Sequence, residues 1–179
     1  MNIRYVALGT IDGALIALGV VIATGGYAAS SLTLAASMAG ALSSSLSNAF
    51  GAYVAESAMA GQELSEYARH MMVPNLNGTA IARTYRLRIY SYSGTMGLFA
   101  LLGAAVPILP IVVMGSNVYA KIASVAFSLM ALFSLGAYVG SISKTISKTG
   151  LLLMGVRTIA LGMLVAFLAY GIGHVLVPS

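Results

Sequence analysis

Asp12, Glu56, Glu63 and Glu66 are the only four acidic residues in this chain of 179. Carboxylates this scarce invite a chemical reading, because each is a ligand for a hard or borderline cation and a site for a proton. Asp12 stands alone within the apolar run GTIDGALIALGVV, residues 9–21. An ionised side chain in such surroundings costs several kcal/mol unless it meets water, a cation or another polar group. Two readings follow for Asp12: a cation- or proton-binding group, or a protonated acid hydrogen-bonded to a neighbouring helix.

The glutamates follow in AESAMAGQELSEYARHMM, which has no proline before Pro74. A helix through this stretch places Asn48, Glu56, Met59, Glu63, Glu66 and His70 within an arc of about 80°. Carboxylate, imidazole and thioether groups on one stripe suit a borderline divalent ion such as Fe²⁺, Mn²⁺ or Zn²⁺. The alternative is a solvated polar face, with Glu66 paired to His70 one turn on. Met71 and Met72 read as a membrane-surface anchor, and His174 as an interfacial residue.

The elements that must position these groups lie in lipid. Hydrophobic residues make up 59% of the chain and charged ones 7%, too little charge to cover a soluble domain of this length. Mean hydropathy is +0.94. Spanning ~30 Å of hydrocarbon takes about 20 apolar residues. Five runs qualify on this reading: Tyr5 to Thr24, Ser31 to Ala55, Tyr92 to Met114, Val118 to Gly140 and Leu151 to Leu176. The expected fold is therefore an all-α integral membrane protein, a single domain over 1–179. Its second helix is predicted to extend beyond the bilayer, and a polar connection over 56–91 leads to the third.

Basic residues predict the orientation. Arg4, Arg69, Arg83, Arg86, Arg88, Lys144, Lys148 and Arg157 would share one side, leaving Lys121 on the other. By the positive-inside rule the N-terminus is cytoplasmic and the C-terminus outside. The net charge of +5 then points to anionic lipid headgroups at the 56–91 connection. The Arg-Tyr pattern of ARTYRLRIYSY has the same explanation, and nucleic acid is excluded as a partner. With no cysteine there is no disulfide frame or thiolate metal site. No nucleophile triad, zinc-protease motif, Walker loop or dinucleotide fingerprint is present, so an enzyme is not expected. No signal-peptide cleavage site is evident either.

Gly9 and Gly13 form G-x-x-x-G, continued by Ala17. Such a face allows close helix packing, either within the chain or between two copies that would bring their Asp12 side chains together. Pro107 and Pro110 interrupt the third helix and predict a kink that could act as a hinge. GAYVA in the second helix and GAYVG in the fourth hint at a duplicated helix pair.

TIDGALIALGVV, SLSNAFGAYVAE, LLGAAVPILPIVV and FSLGAYVGSISK, in this order, resemble the vacuolar iron transporter-like family, in particular a small prokaryotic, chiefly archaeal, branch. The resemblance implies five transmembrane helices, a homodimer, and export of Fe²⁺ or Mn²⁺ from the cytoplasm by proton exchange. It also implies an ion path between the first two helices of each subunit, with Asp12 as the pathway aspartate. The chain departs from the plant members in having Asn48 in place of a methionine and Gly40 in place of an acid. It also lacks their glutamate-rich cytoplasmic metal-binding domain.

The expected function is thus a multi-pass cell-membrane transporter of Fe²⁺ or Mn²⁺. No permanently bound cofactor is expected. Candidate metal ligands are Asp12, Asn48, Glu56, Met59, Glu63, Glu66 and His70. The alternatives are a non-transporting scaffold or lipid-binding protein on the same fold, or a transporter of another small cation.

Overall fold

The computed structural model describes residues 3–24, 30–115, 117–142 and 148–176. They form α1 (Ile3–Ala23), α2 (Ser30–His70), α3 (Ala80–Met114), α4 (Val118–Ile142) and α5 (Lys148–Leu176). Part of the SISKTISKTG join, including Lys144, lies outside the described residues.

Among the described residues, four helices are long and apolar enough to cross a membrane: Ile3–Ala23, Ala80–Met114, Tyr119–Ser141 and Leu152–Val175. The remaining long helix, α2, has 41 residues, about 60 Å at 1.5 Å per residue, so length is not what separates it. Its composition does. The Thr, Ser and Asn residues that lower its hydropathy are largely turned inward. Thr33, Ser37, Ser44 and Ser45 are buried, while Leu32, Leu42, Leu46 and Phe50 are exposed.

The run from Glu56 to Ser91 is not an extended connection. It is an antiparallel hairpin made by the end of α2 and the start of α3, joined by residues 71–79. As expected, α2 runs on without a break to His70. Its end is closed by Met72 N–H on Arg69 C=O (3.2 Å) and Val73 N–H on Ala68 C=O (3.0 Å). Met72 itself takes a left-handed φ of 54°. This is the Schellman arrangement, with methionine where glycine is usual and proline soon after. Thr79 caps α3, its hydroxyl oxygen accepting from Ala82 N–H at 3.3 Å. The third helix therefore begins at Ala80, well before the expected Tyr92. The Arg-Tyr segment is its first three turns.

The central helix is α1, in contact with each of the other four, whereas among the described residues α2 touches α1 and α3 alone. The close approach predicted from Gly9 and Gly13 is made to α3 of the same chain. A Cβ on Gly9 would strike the Met96 carbonyl, and one on Gly13 the Ala100 carbonyl. In return, a Cβ on Gly103 would strike the Thr10 carbonyl. Ala17 joins Ala41 of α2 and Ala104 of α3 in a small apolar cluster with Ile108 beside it. The G-x-x-x-G face is thus occupied by intrachain packing.

Both prolines lie within a continuous α3. Pro107 is buried, and its carbonyl accepts a hydrogen bond from Ser124 of α4. Ser124 and Ser128 line the buried face of α4, and the Ser128 hydroxyl donates to the Ser124 carbonyl at 2.7 Å.

Candidate functional site

Asp12 lies on the side of α1 that meets α2. Its Oδ2 accepts hydrogen bonds from Ser44 Oγ at 2.9 Å and Asn48 Nδ2 at 2.7 Å. Asn48 Nδ2 also lies 3.3 Å from Ser44 Oγ. Ser44 and Asn48 are one helical turn apart, so they stack on one face of α2 and converge on a single oxygen. Their hydrogen bonds meet the need of a carboxylate kept from bulk water.

Asp12 is half-buried and also borders a crevice of about 500 Å³ between α1 and α5. The other lining residues, among them Leu15, Ile16, Val165 and Ile172, are apolar. The cluster thus offers a carboxylate, an amide and a hydroxyl in an otherwise apolar setting. These are oxygen donors of the kind that suits Mn²⁺ and other hard or borderline divalent ions.

A second polar cluster is built around Arg88 of α3. Glu56 is only 4% exposed and accepts a hydrogen bond from the Tyr5 hydroxyl of α1. Arg88 Nε lies 3.6 Å from Glu56 Oε2, and Arg88 Nη1 lies 3.8 Å from Glu63 Oε2. The guanidinium also sits over the rings of Tyr85 (5.5 Å) and Tyr92 (5.6 Å). Tyr92 stacks on Tyr5 at 5.0 Å. One arginine therefore ties α3 to Glu56 and Glu63 of α2, with Tyr5 carrying the tie to α1.

The predicted α2 stripe is divided between these surroundings. Asn48 joins Asp12; Glu56 and Glu63 join Arg88. Met59, Glu66 and His70 are exposed, and Glu66 and His70 form no ion pair with one another. Among the described residues no three His, Cys, Asp or Glu side chains gather closely enough to hold a metal ion. Ser44, Tyr5 and Arg88 were not singled out from the sequence. The serine run SSSLSN was the available sign of Ser44, whereas Tyr5 and Arg88 acquire their roles only through partners distant in the chain.

The sequence pattern of the VIT family matches residues 66–174. The chain belongs to the VIT family. An uncharacterized protein of Methanocaldococcus jannaschii is 31% identical over 170 residues, covering 93% of this chain and 86% of that protein. The chain is accordingly a small prokaryotic VIT-like protein. Membership points to metal-ion transport across a membrane rather than to enzymatic activity, and with the apolar helices it makes this a multi-pass membrane protein. The family match begins at Glu66, so Asp12, Ser44 and Asn48 precede it. The alignment with the archaeal relative extends over nearly the whole chain.

Proposed function

We propose that the protein exports Fe²⁺ or Mn²⁺ from the cytoplasm in exchange for protons, working as a homodimer in the cell membrane. In this reading all five helices span, with α2 crossing as part of the assembly and the α2–α3 hairpin in the cytoplasm. The observation that carries the proposal is the Asp12 carboxylate, held inside the bundle by Ser44 and Asn48.

While no ion is bound, the two donors satisfy Asp12. An arriving divalent ion takes the carboxylate, and Asn48 and Ser44 present oxygen in place of N–H and O–H. A proton competes for the same carboxylate, and this competition couples the two flows. One carboxylate leaves a divalent ion with an uncompensated charge in a medium that penalises it. Two copies of Asp12 would cancel that charge, which favours a dimeric site. Glu56 and Glu63 provide a cytoplasmic mouth, with Met59, Glu66 and His70 further out along the stripe. Arg83 and Arg86, exposed on the hairpin, face anionic headgroups.

Mn²⁺ flux in proteoliposomes tests the reading. Wild type is expected to carry Mn²⁺ and Asp12→Asn to carry none while remaining folded; undiminished flux in the variant would sink it. A scaffold in which Asp12 merely ties α1 to α2 draws on the same two hydrogen bonds. It would show no saturable stabilisation by Mn²⁺.

A further inference from the structure

A cavity of about 620 Å³ opens between α1, α4 and α5, at the end of the bundle where α1 and α5 finish and α4 begins. Its volume is in the range of about 300–1,000 Å³ usual for small-molecule sites. Val21 and Ile22 of α1 and Val125, Ala126 and Leu129 of α4 give it apolar walls. Backbone contact anchors α5 to α1 beside it, since a Cβ on Gly173 would strike the Ala23 carbonyl.

The polar side chains of the lining gather toward the mouth. Lys121 stands in the first turn of α4, and Tyr170 and His174 in the last two turns of α5, their rings parallel with centroids 6.3 Å apart. Leu129 lies two turns further along α4, about 12 Å deeper at 1.5 Å per residue. Among the described residues, Lys121 is the one Lys or Arg at this end of the bundle; Arg4, Lys148, Arg157 and the hairpin arginines belong to the other half. No Asp or Glu is among the described residues lining the cavity. The opening turn of α4 adds the partial positive charge of its N–H groups. The mouth is therefore cationic and rich in hydrogen-bond donors, and the depth is apolar.

We propose that this cavity binds a phospholipid with an anionic headgroup, its phosphate beside Lys121 and His174 and one acyl chain along Val125 and Leu129. A small inorganic anion would gain nothing from the apolar depth, and a neutral apolar molecule nothing from Lys121. A half-buried lysine covers apolar surface with its stem and carries its ammonium to headgroup level. Tyr170, 65% exposed, suits the same level with its amphipathic ring. The site is separate from the ion-binding cluster, because Asp12, Ser44 and Asn48 are not part of its lining. Which leaflet supplies the lipid rests on the orientation proposed above; the binding itself does not.

The chain contains no tryptophan, so a single introduced one reports its own surroundings. Ile122→Trp, at an exposed position lining the cavity, is reconstituted into phosphatidylcholine vesicles. Phosphatidylglycerol or phosphatidylcholine brominated on the acyl chains is then added, and quenching reads which lipid lies beside the ring. Leu109→Trp, exposed on α3 at a similar distance from its helix end, is the control. At Ile122→Trp the anionic lipid is expected to bind about five-fold better than the zwitterionic one, equivalent to about 1 kcal/mol for one lysine at a headgroup. At Leu109→Trp the two lipids should quench alike.

Adding Lys121→Gln is expected to abolish the preference and Lys121→Arg to keep it. Arg83→Gln with Arg86→Gln, on the hairpin, should leave it unchanged. Equal quenching by the two lipids at Ile122→Trp, or a preference that survives Lys121→Gln, would overturn the site. Quenching by neither lipid would mean that protein, such as a second copy of the chain, covers the cavity, and would overturn it too. Ala126→Phe narrows the cavity from an exposed position of its wall and is expected to bring the preference down to that of the control. An undiminished preference there would put the lipid outside the cavity and overturn the proposal.

Discussion

Asp12 of α1 and Asn48 of α2 are 36 residues apart in the chain and 2.7 Å apart in space. The contact joins an acid that lipid would penalise to a side chain able to donate through nitrogen or ligate through oxygen. It serves folding before any ion arrives and offers a ligand set once one does. Its consequences for stability and for binding can be separated by substitution.

Asn48→Ala leaves Asp12 with Ser44 as its remaining observed donor. Loss of a hydrogen bond to this half-buried carboxylate is expected to cost about 1–3 kcal/mol. Thermal unfolding in detergent should show a lower Tm, and Mn²⁺ titration a weaker stabilisation. Asn48→Asp should differ in kind, with two acids side by side that destabilise the ion-free protein and are relieved by Mn²⁺. An Asn48→Ala protein with unchanged Tm and unchanged Mn²⁺ response would remove Asn48 from the site.

Gly13 packs against the Ala100 backbone of its own chain, so its enlargement should act on the fold. Overpacking of this kind typically costs about 1–3 kcal/mol, and here the obstacle is a carbonyl that cannot rotate aside. Gly13→Ala is expected to lower the Tm. The dimer-to-monomer ratio of the protein that still folds, read by light scattering in detergent, should be unchanged. A variant of normal stability that fails to associate would instead assign this face to the subunit interface.

Arg88→Met removes the cation shared by Glu56 and Glu63. Breaking a buried pair costs about 3–5 kcal/mol because the surviving charge is stranded. Arg88 is partly open to solvent, so about 2 kcal/mol is expected here. Arg88→Met combined with Glu56→Gln should recover much of the loss, since no buried charge is then left unpaired. Chemical unfolding of the single and double variants checks the sign of this coupling.

Met72 is 94% exposed and holds the left-handed conformation at the end of α2. A side chain in that region costs roughly 1–2 kcal/mol, and glycine carries no such penalty. Met72→Gly is expected to raise the stability of the hairpin by about 1 kcal/mol and to leave Mn²⁺ binding unaltered. Hydrogen exchange at Val73 and at the residues around it would report the first effect. A weaker Mn²⁺ response would make the Met72 thioether a ligand.

Helical periodicity predicted that Asn48, Glu56 and Glu63 share a face, and the absence of proline before Pro74 predicted that the helix continues past the bilayer. Both follow from local geometry, which a single chain segment carries in full. Periodicity does not say which neighbouring face is met, and Glu56 and Glu63 face Arg88 rather than an open ion site. The serine-rich middle of α2 owes its lower hydropathy to residues that pack inward, Ser44 on Asp12 and Ser45 on the Gly97 carbonyl.

Composition alone dictated a lipid-embedded bundle, because 7% charged residues cannot cover a water-soluble surface of this size. The sequence also isolated Asp12 as the acid that needs a partner, since its neighbours on both sides are apolar. Tertiary structure decided who that partner is. The hydrogen bonds of Asp12 come from residues 32 and 36 positions away, and Tyr5 reaches Glu56 across 51. Such pairings depend on how whole helices rotate and cross. Glycine-to-backbone contact between α1 and α3 sets that arrangement; the G-x-x-x-G pattern marks the face that packs closely, but not the helix that meets it.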